Sequence, residues 1–192
     1  MKKIFILLGN SDKDTYSGAL ADSYERGAGE AGHETRRTNL GGTVFDPILH
    51  KGYKEIQELE PDLLTIQENI TWADHFVIIY PNWWNTMPAI LKGMFDRMFL
   101  PNFAFHINKK TKKVDMLLAG RSARVIIVSG TYHPFFIRLK FGDFTNEIER
   151  GILKFSGFSP VRVTTMGPIE HCSDAKREEW RNSVYTLGKR GV

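Results

Sequence analysis

Tyr80-Pro81-Asn82-Trp83-Trp84-Asn85-Thr86-Met87-Pro88 concentrates the side chains that a flat heteroaromatic ligand needs: indole faces to stack upon and carboxamides to bond its edge. Two adjacent tryptophans between two asparagines make poor core, because a core has few partners for amides. A second stretch, Gly9-Asn10-Ser11-Asp12-Lys13-Asp14-Thr15-Tyr16-Ser17, carries the hydroxyls of Ser11, Thr15 and Ser17 into the start of a helix. The free amides and dipole of a helix N-terminus favour an anion, so this stretch suits a phosphate. The plainer alternative is an N-cap by Asp14 or Ser17. Asp12 and Asp14 oppose a dianion unless they point away. A third stretch is Ser129-Gly130-Thr131-Tyr132-His133, where Gly130 permits close backbone approach and Tyr132 can flank a ring. One stretch for phosphate, one aromatic and one with glycine together describe a mononucleotide with a flat ring, and FMN fits best.

These stretches share a position: each follows a buried-looking apolar run. Ile4–Leu8, Phe76–Tyr80 and Ala123–Val128 read as strands, with His33–Thr38 a less apolar, edge-like strand and Val161–Thr165 a fifth. Helical patterns separate them at Tyr16–Ala31, Pro61–Trp72, from Pro88, Asp143–Ser156 and Asp174–Leu187. The helix after Pro88 carries Leu91, Met94, Phe95, Met98 and Phe99 on one apolar face, read as core, and leaves Lys92, Asp96 and Arg97 on the other. Phe103, Phe105 and Ile107 alternate, as do Val114 and Met116, which predicts a hairpin insertion over 103–117. Strand–helix alternation predicts an α/β, doubly wound five-stranded parallel sheet, in which ligands lie outside the carboxyl ends of the strands.

Several function classes lose support. Gly27-Ala28-Gly29-Glu30-Ala31-Gly32 matches G-x-G-x-x-G but ends a helix and precedes a strand, the reverse of a dinucleotide site; its glycines read as a helix C-terminus. There is no G-x-x-x-x-G-K-[ST], no G-x-S-x-G and no histidine pair at metal-ligand spacing, so no metal is expected. Glu58, Glu60 and Asp62 read as a surface cluster. The 192 residues, 42% hydrophobic and 25% charged, suit one soluble domain with a substantial core. The net charge of +4 is scattered and too weak for nucleic acid, and Lys109-Lys110-Thr111-Lys112-Lys113 reads as a solvated loop tip. One cysteine, Cys172, excludes an internal disulfide and suits a reducing compartment. Ile4–Leu8 is too short for a leader or a span, so a cytoplasmic protein without membrane insertion is expected.

The chain resembles the flavodoxin-like NAD(P)H:quinone oxidoreductases, the DT-diaphorase-like group with its bacterial relatives. The residues that carry the resemblance are Trp72-Ala73-Asp74, Phe76-Val77-Ile78-Ile79-Tyr80-Pro81, Trp84, and Pro88-Ala89-Ile90-Leu91-Lys92-Gly93-Met94-Phe95-Asp96-Arg97-Met98-Phe99. Phe45-Asp46-Pro47-Ile48, Phe103-Ala104-Phe105 and Gly151-Ile152-Leu153-Lys154-Phe155-Ser156-Gly157-Phe158 extend it over most of the chain. The resemblance implies a single flavodoxin-like, flavin-binding domain over residues 1–192 with sheet order 2-1-3-4-5 and helices on both faces. It also implies a homodimer with active sites at the subunit interface, and hydride transfer from NADPH or NADH through FMN (or FAD) to a quinone or similarly flat acceptor. By position, Asn10, Thr15, Tyr16 and Ser17 would hold the phosphate end, and Pro81, Asn82, Trp83, Trp84 and Asn85 would border the ring. Ser129, Gly130, Thr131 and Tyr132 would close its remaining edge. Where relatives carry a Tyr and a His thought to relay charge, this chain has Phe135 and Phe141; Tyr132 and His133 are the catalytic candidates left. The alternatives are a flavodoxin-type electron carrier, which the positive charge disfavours, and an ancillary flavoprotein subunit of a potassium-efflux antiporter.

Overall fold

The computed structural model describes residues 1–108 and 110–192. Five parallel strands form its sheet: β1 (Lys3–Leu8), β2 (Glu34–Asn39), β3 (His75–Asn82), β6 (Ser122–Ser129) and β7 (Val161–Met166). Their order is β2-β1-β3-β6-β7, which is 2-1-3-4-5 once the hairpin strands are set aside. That hairpin, β4 (Phe105–Ile107) antiparallel to β5 (Val114–Met116), interrupts the chain between α3 (Ala89–Met98) and β6. The lysine-rich tip read from sequence includes Lys109, which lies outside the described residues.

Each central strand divides its side chains between two cores. Phe5 and Leu7 of β1 and Phe76, Ile78 and Tyr80 of β3 face α2 (Pro61–Trp72), α3 and a π-helical segment, Glu147–Lys154. Ile4, Ile6 and Leu8 with Val77 and Ile79 face α1 (Tyr16–Glu30) and α5 (Asp174–Arg190). Burial on both faces is why these strands read as unbroken apolar runs. The edge strand β2, ETRRTN, is half-exposed, and its charges discourage pairing with another chain. Gly27 does not serve to end α1. A Cβ there would lie 2.1 Å from the Tyr185 carbonyl oxygen, so it is glycine because α5 crosses too closely for anything larger. Gly32, at φ +77°, makes the turn into β2.

Two readings from sequence change. Arg97 does not share the solvent side with Lys92 and Asp96, which pair at 2.7 Å, but is fully buried. Its guanidinium donates to the carbonyls of Asp46 and Glu58 and to the Glu60 carboxylate at 2.9 and 3.1 Å. It thus ties down a stretch whose regular structure is a single 3-10 turn, Gly52–Lys54. The second change is a helix absent from the pattern reading, α4 (Pro134–Phe141). His133 caps it by accepting from the Phe135 amide, and Gly142 ends it at φ +89°. Phe135, Phe136 and Leu139 point outward while Pro134 and Ile137 point inward, so apolar residues on both sides leave no one-sided stripe to read. Among the described residues, no helix is long and apolar enough to cross a membrane.

His75, at the start of β3, is buried with its Nδ1 against Ser122 Oγ at 2.7 Å. Burial, with the positive charges of Lys2 and Arg124, pushes its pKa down from 6.5 to about 3. The unfolded chain therefore binds this proton first as the pH falls. The His75 contribution is fully present above pH 6.5 and drains away as the pH drops towards 3, at up to about 1.4 kcal/mol per pH unit. Urea unfolding between pH 4 and 6.5 is expected to show a shallower pH slope for His75→Asn than for the natural chain. Parallel slopes would contradict the assignment.

Candidate functional site

Parallel register decides which loops meet. Leu8 pairs with Ile79, and Asn82 with Ser129, so β1, β3 and β6 all release their chains at one edge. There the three stretches enclose a cavity of about 780 Å³. Asn10, Thr15, Tyr16 and Ser17 line it from the first loop, and Pro81, Asn82, Trp83, Trp84 and Asn85 from the second. Ser129, Gly130, Thr131 and Tyr132 line it from the third. Ser11, Asp12, Asp14 and His133 do not; the His133 ring is engaged at the start of α4.

The first loop is built around the start of α1. Thr15, not Asp14 or Ser17, is the N-cap: its Oγ1 accepts from the Gly18 amide at 3.3 Å and from Asn10 Nδ2 at 3.1 Å. The helix thus begins at the cavity, which Thr15, Tyr16 and Ser17 line, and a helix N-terminus stabilises negative charge. The two aspartates are occupied elsewhere: Asp12 accepts from the Asp14 amide at 2.8 Å, and Asp14 pairs with Lys13 at 2.9 Å. Tyr16 donates its hydroxyl to the Arg177 carbonyl at 2.7 Å, and burial pushes its pKa up to about 12, so it stays a neutral phenol.

The second loop is a two-residue turn. Trp83 and Thr86 exchange backbone hydrogen bonds at 3.0 and 3.1 Å, while Trp84 and Asn85 both have positive φ, at 53° and 65°. Positive φ at both central positions marks a type I′ turn, which favours Asn and Gly and penalises a bulky aromatic. The strained conformation holds Trp84 at the rim, where it is 99% exposed. Two side chains fasten the turn to the next wall: Asn85 Nδ2 donates to the Phe141 carbonyl at 3.3 Å, and Thr86 Oγ1 to Glu147 at 2.7 Å.

Five further lining residues escaped sequence reasoning: Val128, Ile137, Phe141, Ile169 and Glu170. Ile137 and Phe141 arrive on the unanticipated α4. Ile169 and Glu170 follow β7, and the rule that nominated the other loops, strand carboxyl end first, would have reached them. Their amides donate to the Ser129 and Gly130 carbonyls at 3.0 and 3.2 Å, and Thr131 Oγ1 donates to Glu170 at 2.8 Å. The fourth loop thus holds the third in shape.

Buried Asn82 Oδ1, Asn85 Oδ1 and Ser129 Oγ have no hydrogen-bond partner in the chain. All three residues line the cavity. Leaving three such groups unpaired costs on the order of 1–3 kcal/mol each, and a ligand with polar edges removes that cost. Hydroxyls and amides at one end, an indole at the rim and orphaned acceptors along the walls fit a phosphorylated flavin. Among the described residues, no group of three or more His, Cys, Asp or Glu could hold a metal ion.

Fold and site together define a doubly wound α/β protein with a cavity at its topological switch. Residues 2–185 match the family Flavodoxin_2, described as having a flavodoxin-like fold, and the chain belongs to it. It is 25% identical to NAD(P)H dehydrogenase [quinone] 1 of Cavia porcellus over 220 residues, covering 97% of this chain and 78% of that protein. Among solved structures, Smu.1420 from Streptococcus mutans UA159 superposes with a TM-score of 0.83 at 28% identity, over 98% of this chain and 99% of that one. An FMN-dependent NADH-azoreductase from Bacillus anthracis, in complex with FMN, shares the fold at a TM-score of 0.75 and 17% identity, over 99% of each chain.

Trp84→Gly removes the backbone strain while deleting a side chain that buries almost nothing. Thermal unfolding is expected to show a gain of about 1 kcal/mol, or roughly 2–4 °C in Tm. A lower Tm would mean that Trp84 holds the fold and not the site.

Proposed function

We propose that this protein is a flavin-dependent oxidoreductase that moves hydride equivalents from NADPH or NADH to a quinone or similarly flat azo or nitro compound. The observation that carries the reading is the coincidence, in one cavity, of three orphaned polar atoms, a helix N-terminus and an aromatic side chain held in strain at the rim. The relative from Cavia porcellus and the Bacillus anthracis azoreductase, named for quinone and for FMN with NADH, support the same class. FMN is the flavin of choice because the first loop provides for one phosphate group at the end of the cavity.

A bound flavin supplies the redox chemistry, accepting two electrons with a proton and returning them to a second molecule. The chain's residues bind and orient. Asn10, Thr15, Tyr16 and Ser17 take the phosphate end, with Thr15 capping α1 by accepting from the Gly18 amide. Asn82, Asn85 and Ser129 satisfy the ring's polar edge, and Pro81, Trp83 and Trp84 border its plane. Gly130, Thr131 and Tyr132 close the far side, with Glu170 holding the Thr131 hydroxyl. Tyr132 presents the phenol available to a donor or acceptor in the stacking slot. His133 acts through position, since its ring caps the helix that carries Ile137 and Phe141 to the cavity. Hydride transfer depends mainly on stacking and preorganisation, so a site with Phe135 and Phe141 in place of a charge relay retains the reaction. A homodimer, with a second subunit completing the slot, belongs to the same reading.

The freshly purified protein is expected to be yellow and to bleach promptly when NADPH or NADH is added without oxygen. A yellow protein that ignores both donors would turn the reading towards an electron carrier or an ancillary subunit. A colourless protein that takes up neither FMN nor FAD would end it.

A further inference from the structure

Among the described residues, Glu170 is the one charged side chain that lines the cavity. It is also held in place. Its amide donates to the Gly130 carbonyl at 3.2 Å, and its Oε2 accepts from Thr131 Oγ1 at 2.8 Å. A Cβ on Gly130 would lie 2.7 Å from Oε1, so the bare glycine lets the carboxylate lie against the backbone of the third loop. Among the described residues no cation pairs with it. Arg177, which reaches the same loop, gives Nη2 to the Ile169 carbonyl at 2.9 Å and Nη1 to Asp174 at 3.2 Å. A lone anion is thus fixed beside the loop that borders the ring in the proposed complex.

We propose that the Glu170 carboxylate lowers the reduction potential of the flavin bound in this cavity, an inference that rests on the oxidoreductase reading. A hydride carries two electrons and one proton away from the nicotinamide, which leaves as a cation, and adds one negative charge to a neutral ring. A fixed carboxylate nearby repels that added charge and has no comparable effect on the neutral ring. Nothing in the lining offsets it: among the described residues the cavity walls hold no Lys, Arg or His, and Phe135 and Phe141 stand in place of a charge relay. The two ends of the cavity are therefore opposite in character. The start of α1 attracts a charge that is permanent, and Glu170 repels one that comes and goes with each turnover. A reduced form held less firmly passes its hydride on more readily, and to acceptors that are harder to reduce. Solvent reaches Glu170 and screens its charge, so the effect is moderate.

The test is the midpoint potential of the FMN-loaded protein, read by anaerobic titration against a reference dye, beside the affinity of the full chain for oxidised FMN. Glu170→Gln keeps an acceptor for Thr131 and removes the charge. It is expected to favour the reduced form about tenfold, a rise of about 30 mV for a two-electron couple, with oxidised FMN bound within about twofold of the natural affinity. Glu170→Asp keeps the charge on a shorter arm and is expected to move the same equilibrium by less than about threefold. A carboxylate that only braced the loop would, once removed, weaken both forms alike and leave the potential where it was. An unmoved or lower potential in Glu170→Gln would overturn the proposal. So would an equal rise in Glu170→Asp, because geometry and not charge would then be at work. Uptake of neither FMN nor FAD would strike the oxidoreductase reading and this inference with it, whereas a bound flavin with an unmoved potential strikes the inference alone.

Discussion

Parallel pairing is the constraint on which this molecule rests. Strands that run the same way release their chains at the same edge, and here Asn82 stands level with Ser129 and Leu8 with Ile79. Three loops of unrelated composition are thereby delivered to one place without any contact among them having to specify it. The order β2-β1-β3-β6-β7 adds the gap, since the connections from β1 and β3 leave towards opposite faces: α1 lies against one core and α3 against the other. The cavity is a consequence of that topology, and the loop sequences decide only what it can hold.

The polar interior is treated in two opposite ways, and the contrast locates function. Arg97 is buried as deeply as any side chain in the protein, yet its two terminal nitrogens reach a carboxylate and two carbonyls. That is how structure accommodates a buried charge, by giving its terminal fork partners, while Arg97 Nε itself meets none. Asn82 Oδ1, Asn85 Oδ1 and Ser129 Oγ are buried and meet nothing, in the turn and strand ends that line the cavity. The same turn places a tryptophan at positive φ, where glycine would be easier. Three of the buried unpaired atoms and the strained turn lie at the end of the sheet that carries the cavity.

Legibility in the sequence follows the same division. The five strands and the helices α1, α2, α3 and α5 could be read because burial on one or two faces leaves a period in the residues. Arg97 was misplaced because a helical wheel assigns charge to solvent and cannot know that Glu60 and two carbonyls wait on the other side. Gly27 looked like a terminator because the crossing of α5 is written nowhere near it in the chain. Loops that chemistry makes conspicuous, such as Trp83-Trp84, were easy to nominate. Ile169 and Glu170 were not, since an isoleucine and a glutamate after an edge strand look like any surface turn.

Helix α4 shows why the least legible element matters most to what the site does. Its sequence carries no inward stripe because it buries little, Pro134 and Ile137 alone, and it is held by bonds to the neighbouring turn: Asn85 to the Phe141 carbonyl and Thr86 to Glu147 just beyond it. An element with few buried contacts opens locally at much lower cost than the sheet beneath it. The rigid wall of the cavity is the strand edge, where the ring's polar groups must be met at fixed distances. The wall with few anchors is α4, which buries only Pro134 and Ile137. A site that serves two partners in turn needs both walls, and only the rigid one can announce itself as a pattern of buried residues.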